Sequence, residues 1–359
     1  MAHLRLILLL AATLLSRTNA NSQEKNNRFA RVVLFAEEGS TIPENYQDRL
    51  GSLAIRTEGF IDQWMNHWER PIDRKEIFAR NDDGSVQVTL LTGKLLNANG
   101  RAALPDIQSK ATKGASEQLD LAPDKKTVWW IFYHYPGVKG FQGGARGFGG
   151  VAINAYPDGE GIIDPGWDLA SPPMVENSLK GTIHEFGHAL GLPHIGPRPA
   201  LKLGNSLMGP INKSYWSKAG TDDERVYLNE VSAAMLWKHP LFSNENTNRV
   251  PTPRDLEVTD FKGTKSEDGN SIELSGRIMN PKGIHSVIAV DSERGQFGDY
   301  WARSYVGKVD PETGIFKAVI TEPFQKGTAY IAFSFEDGFN TGDGKMPFQR
   351  GSSISYSYP

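Results

Sequence analysis

The sequence predicts an α+β unit with a mixed twisted sheet and long helices, followed by a second unit that is all-β. Three observations carry that expectation. Helical and strand patterns alternate up to about residue 242, only strand patterns follow from about residue 254, and the polar stretch between them holds Pro251 and Pro253. The division is 29–242 for the α+β unit, 243–253 for a linker and 254–359 for the β unit.

Residues 1–20 stand apart. Arg5 precedes an apolar run from Leu6 to Leu15, and the stretch closes on Thr18-Asn19-Ala20 with a small residue at the expected cleavage position. This is the layout of a secretory signal peptide, and about ten apolar residues are too few to span a bilayer. No later run approaches the ~18 apolar residues of a membrane helix, so the mature chain is expected to be secreted and free of the membrane. Removing 1–20 takes away Arg5 and Arg17 and no acid, which moves the net charge from −3 to −5. That mild acidity, without a basic block carrying aromatics, excludes nucleic acid as a partner class. The chain has no cysteine, so disulfides, a thiolate zinc site and a cysteine nucleophile are all excluded.

The elements follow in order. Arg31–Ala36 reads as a buried strand, and Asn45–Trp68 places Leu50, Leu53, Phe60, Ile61 and Trp64 at helical spacing before Pro71. Ser85–Leu91 alternates as a strand, Pro105–Leu119 reads as a weaker helix, and Thr127–Tyr133 is rich in β-branched and aromatic residues, as a central strand is. Gly149–Ala155 and Gly161–Asp164 read as two short strands, and Ser171–Gly191 and Asp222–Trp237 as helices. Seven alternating runs follow, near 255–261, 271–278, 286–292, 300–309, 314–321, 328–335 and 352–358. Seven short strands in about a hundred residues fit an immunoglobulin- or fibronectin-like sandwich.

The chemistry concentrates in His184-Glu185-Phe186-Gly187-His188-Ala189-Leu190-Gly191-Leu192-Pro193-His194. On a helix, His184 and His188 share a face and can bind one ion. Glu185 lies off that face and can instead reach a water beside the metal. Gly191 permits the positive φ that ends a helix and reverses the chain, which brings His194 back as a third nitrogen ligand. Three neutral histidines with one open position describe a catalytic zinc site rather than a closed structural one. A bare His-Glu-x-x-His arises by chance in roughly 4% of chains this long, and requiring Gly191 and His194 lowers that about 400-fold.

These residues match the zinc signature of the metzincin metallopeptidases, and His184–Leu192 most resembles the matrixin-like branch. The resemblance implies a zincin-like catalytic domain over 29–242 and a secreted zinc endopeptidase acting on protein or peptide substrates, with Glu185 as general base. It also implies a methionine turn beneath the metal, for which Met208 in Asn205–Pro210 fits. Metzincins hold substrate as an extended strand against an edge strand, here expected at Gly150, Val151, Ala152 and Ile153. Residues 209–216 would line the adjoining pocket, shaped by Tyr215 and Trp216, and Asp82-Asp83-Gly84 and Asp158-Gly159-Glu160 would be Ca2+ candidates, as in matrixins. Ile195 stands where matrixins have serine, and Pro210 where astacin-like and serralysin-like members have tyrosine, so the subfamily stays unassigned. The competing reading is an inactive zinc-containing binding or adhesion protein that works through its C-terminal sandwich, where Tyr300 and Trp301 would be exposed aromatics.

Overall fold

The computed structural model describes residues 29–122, 126–157, 161–164, 169, 179–211, 225–244, 249–253, 256–341 and 354–359. The signal-peptide expectation at 1–20, the acidic turn 158–160 and the pocket residues Tyr215 and Trp216 lie outside these. No helix among the described residues is long and apolar enough to cross a membrane.

The first unit is built on five strands: β1 (Arg31–Glu37), β2 (Val88–Gly93), β3 (Val128–His134), β4 (Gln142–Arg146) and β5 (Gly149–Ala155). They lie in the order β2-β1-β3-β5-β4, with β4 antiparallel to β5 and the other pairs parallel. Near-continuous apolar runs in β1 and β3 follow from cover on both faces, since a parallel strand between helices has no wet side. Val32, Leu34, Trp130 and Phe132 face α1 (Tyr46–His67) and α3 (Leu179–Ala189). Val33, Phe35, Ile131 and Tyr133 point the other way, onto Leu104, Ile107, Ala111 and Ala115 of α2 (Leu104–Gln118).

Four expectations are corrected here. Gly161–Asp164 is not a strand, because its backbone bonds to α1 side chains instead: Arg49 Nη1 donates to Gly161 O at 3.0 Å and Ile163 N to Ser52 Oγ at 2.8 Å. Within 222–237, Val226–Tyr227 forms strand β7 beside β6 (Asn205–Ser206), and helix α4 spans only Glu230–Leu236. The Asn229 side chain accepts from Ser232 N at 2.7 Å and sets that helix start. The strand Gly149–Ala155 is confirmed, but it is not the edge: β4 lies outside it. A substrate strand at Gly150, Val151, Ala152 and Ile153 is therefore ruled out, since both sides of that backbone are already paired.

The fourth correction concerns the C-terminal half. Strands β8 (Val258–Lys265), β9 (Ile272–Ile278), β10 (Ile284–Ser292), β11 (Arg303–Val309), β12 (Ile315–Ile320), β13 (Gly327–Phe335) and β15 (Ile354–Tyr358) fall on or near the seven expected runs, with a short β14 (Asn340–Thr341) added. They do not form two separate sheets. One hydrogen-bonded path runs β14-β13-β10-β11-β12-β9-β8, with β15 on β13, and it curls over a core of Leu274, Val287, Phe316, Ile331 and Phe333.

The halves share a core. Along β10, Val287 and Ala289 face inward to the curled sheet, whereas Ile288 and Val290 face the first unit and join Val231, Ala234 and Met235 of α4. Phe186 on α3 anchors the other end of that core, its ring 4.8 Å from Trp130 and 5.2 Å from Phe78. Phe186→Ala should lower the unfolding free energy by about 3–5 kcal/mol. A urea titration checks this, and a loss below ~1 kcal/mol would show that the aromatic cluster is not the anchor.

Candidate metal centre and active site

Helix α3 lies against β4 and β5 at a distance only glycine allows. A Cβ on Gly143 would sit 2.2 Å from Glu185 O, and one on Gly150 would sit 2.1 Å from Ala189 O. The glycine-rich 140–150 segment therefore serves helix packing. The helix ends at Gly191, whose φ of +88° reverses the chain as its position predicts. Leu192 N closes the reversal by donating to Gly187 O at 3.0 Å.

Beyond that turn His194 returns to meet His184 and His188, and one ligand nitrogen from each lies within 4.8 Å of the others. Each imidazole is held through Nδ1 by a backbone carbonyl: His184 by Leu207 O at 2.8 Å, His188 by Leu192 O at 2.7 Å and His194 by Gly298 O at 3.2 Å. A carbonyl only accepts, so each Nδ1 carries the proton and each Nε2 presents a lone pair. His184 Nε2 is buried without a partner, and the Nε2 atoms of His188 and His194 face each other at 2.9 Å. Converging lone pairs repel unless a cation lies among them. The donor set thus fits a metal ion, and three imidazoles with a remaining open position fit catalytic zinc. Burial drives the His184 pKa well below the usual histidine value and pushes His194 down to about 4, which keeps both rings neutral and ready to ligate.

Glu185, next to His184 on the helix, is 5% exposed. Burial raises its carboxyl to about 7, and the Arg101 guanidinium partly opposes that rise. Met208 is fully buried beneath the helix: a Cβ on Gly187 would meet its Sδ at 2.6 Å. Its carbonyl accepts from Ile195 N at 3.1 Å, so the Met208 turn also steadies the segment that carries the third histidine.

Sequence reasoning missed four contributors. Lys180, one turn before His184, is fully buried and donates to Gly209 O at 3.0 Å and Pro210 O at 2.8 Å, clamping the segment after Met208. Its spacing from His184 was the available signal. Arg101 lies near Glu185 and its Nη2 donates to Phe141 O at 3.3 Å, next to β4. Gly298 and Tyr300 come from the C-terminal half. The Tyr300 ring stacks on His194 with centroids 3.7 Å apart, so this tyrosine belongs to the site rather than to an adhesive outer surface. Asp82-Asp83-Gly84 offers no gathered ligands, because Asp83 Oδ1 is taken by Ser85 N and Oγ. Among the described residues, only the histidine triad can hold a metal.

No family model and no curated protein matches this chain. Solved structures of similar fold are those of OgpA from Akkermansia muciniphila. The wild-type form in one crystal form aligns with a TM-score of 0.67 and 17% identity over 92% of this chain and 93% of that one. A catalytically inactive form in complex with an O-glycopeptide substrate, glycodrosocin, aligns at 0.65 and 15% over 92% and 93%. The likeness spans both halves, so the shared fold includes the curled C-terminal sheet.

Lys180 gives the site a measurable dependence. Lys180→Met removes the Lys180 donor from Gly209 O and leaves Pro210 O with its Asn205 Nδ2 bond, and the unfolding free energy should fall by about 1–3 kcal/mol. Unchanged chemical stability in the metal-free protein would show that the clamp contributes nothing.

Proposed function

We propose that this chain is a secreted zinc-dependent endopeptidase of metzincin type, with His184, His188 and His194 as ligands and Glu185 as general base. The observation that carries the reading is the convergence of three Nε2 lone pairs, each fixed by a carbonyl at Nδ1, at the helix that also carries the buried Glu185. The order of the five strands, the reversal at Gly191 and Met208 under the helix support the same assignment.

A zinc ion, when bound, supplies Lewis acidity for the scissile carbonyl and lowers the pKa of its water toward about 7. The chain's own residues do the rest. Glu185 would take a proton from the attacking water and pass it to the leaving amine, so one carboxylate would serve as base and then as acid. The substrate lies extended along β4, whose backbone is paired with β5 on one side and has no strand partner on the other among the described residues. Adding a strand to such an edge satisfies main-chain groups of both chains and leaves side chains to select sequence. Met208 holds its place as the floor of the site. A glycosylated peptide is the first substrate to try, because the fold is similar to that of an enzyme captured with an O-glycopeptide.

The test pairs metal analysis with digestion of an O-glycosylated peptide and its unglycosylated counterpart. The wild type should hold one zinc per chain and cleave, while Glu185→Ala should retain the zinc and lose at least 10²-fold in turnover, the low end of a general base's contribution. Near-normal turnover in Glu185→Ala overturns the mechanism. Zinc without cleavage of any peptide favours the non-catalytic binding protein instead.

A further inference from the structure

The connection between β10 and β11, residues 293–302, reaches out of the curled sheet and onto the histidine triad. Its backbone is fixed before it arrives. Buried Asp299 accepts from Trp301 N at 3.1 Å and from Ser292 Oγ at 3.3 Å, and Ala302 N donates to Asp299 O at 3.0 Å. The landing point is equally tight. Gly196 N donates to Ala302 O at 2.8 Å, and a Cβ on Gly196 would sit 2.7 Å from Tyr300 O.

Two groups of this connection then meet the site. Gly298 O receives the His194 Nδ1 proton, so the third ligand takes its orientation from the C-terminal half, whereas the other two take theirs from Leu207 and Leu192. The Tyr300 ring lies over His194 at 3.7 Å and 26°, and stands 6.0 Å from His184 at 19°. Tyr300 is 36% exposed, with its ring resting on the His194 imidazole. Its hydroxyl has no hydrogen-bond partner among the described residues and feels the charges of both Glu185 and Arg101. An unspent phenol donor at the mouth of the site, on the side of the base, is placed to meet substrate.

We propose that the C-terminal sheet completes the active site: Gly298 and the Tyr300 ring position His194, and the Tyr300 hydroxyl donates a hydrogen bond to the carbonyl oxygen of the bond being cut. This rests on the endopeptidase reading for the hydroxyl, and only on metal binding for the positioning. A donor aimed at the oxygen where charge develops acts more strongly in the transition state than in the bound substrate. It therefore raises kcat with little effect on KM. The ring acts through His194 and is a positioning group.

Two variants separate these roles in the full-length zinc protein. Tyr300→Phe keeps the stack and removes the hydroxyl. It should leave zinc affinity, read by competition with a chromophoric chelator, within about twofold, while kcat falls about 10²-fold at nearly constant KM. Tyr300→Ala removes the stack as well, and zinc affinity should fall about tenfold. The absorption bands of the cobalt-substituted protein should shift in Tyr300→Ala and not in Tyr300→Phe. Wild-type kcat in Tyr300→Phe overturns the donor role, and unchanged zinc affinity in Tyr300→Ala overturns the positioning role. Should the wild type bind zinc yet cleave nothing, the endopeptidase reading fails alone, and the chelator and cobalt measurements still decide the positioning.

Discussion

Leu207, Leu192 and Gly298 each lend one carbonyl to one imidazole, and every other feature of the site depends on those bonds. They fix the tautomers, and the tautomers turn three Nε2 lone pairs toward one point. The carbonyls come from three different places: the segment before Met208, the turn after the helix, and a connection in the C-terminal sheet. The geometry of the histidine triad is therefore a report on how well these segments are held. Held they are, each by a different device. Leu207 N donates to Tyr227 O at 2.7 Å, Leu192 is closed onto Gly187 O by the Gly191 reversal, and Gly298 stands next to Asp299, which braces its loop.

Electrostatics follows from the same enclosure. A ligand set buried this deeply disfavours its own protonation, which is why burial is the leading cause of the lowered values at His184, His188 and His194. Burial lowers the Lys180 pKa well below the usual lysine value, and the lysine in turn lowers those of His184 and His194. Its amine serves as a buried donor, to Gly209 O alone and to Pro210 O together with Asn205 Nδ2.

The helix, its glycine and the three histidines were legible because local spacing dictates them. Positions four apart share a helix face, and Gly191 can take a φ that other residues resist. The central strands were legible for a similar reason, since burial on both faces writes itself as a continuous apolar run. The edge strand was not. Gln142–Arg146 carries two glycines and no apolar residue larger than alanine, so nothing in its composition announces a strand. Only pairing with β5 makes it one. Tyr300 was missed because its partner, His194, lies more than a hundred residues earlier, and no periodicity links them. The single curled sheet was misread as two because alternation marks strands but not which strands pair.

Ile195, which departs from the serine expected after the third histidine in matrixins, makes sense in this setting. It is fully buried in the shared core, where a hydroxyl would have to find a partner. Its neighbours carry the join between the halves. His194 bonds to Gly298 O, Ile195 N to Met208 O, and Gly196 N to Ala302 O, so three consecutive residues are fastened to the C-terminal half, the Met208 turn and the C-terminal half again. Each needs a different side chain: an imidazole to ligate, an aliphatic group to fill the core, and no side chain at all where a Cβ would sit 2.7 Å from Tyr300 O. A seam that runs through one histidine of the triad ties the two parts of the chain together at the candidate site, with the carbonyl of Gly298 in the second part orienting a ring of the first.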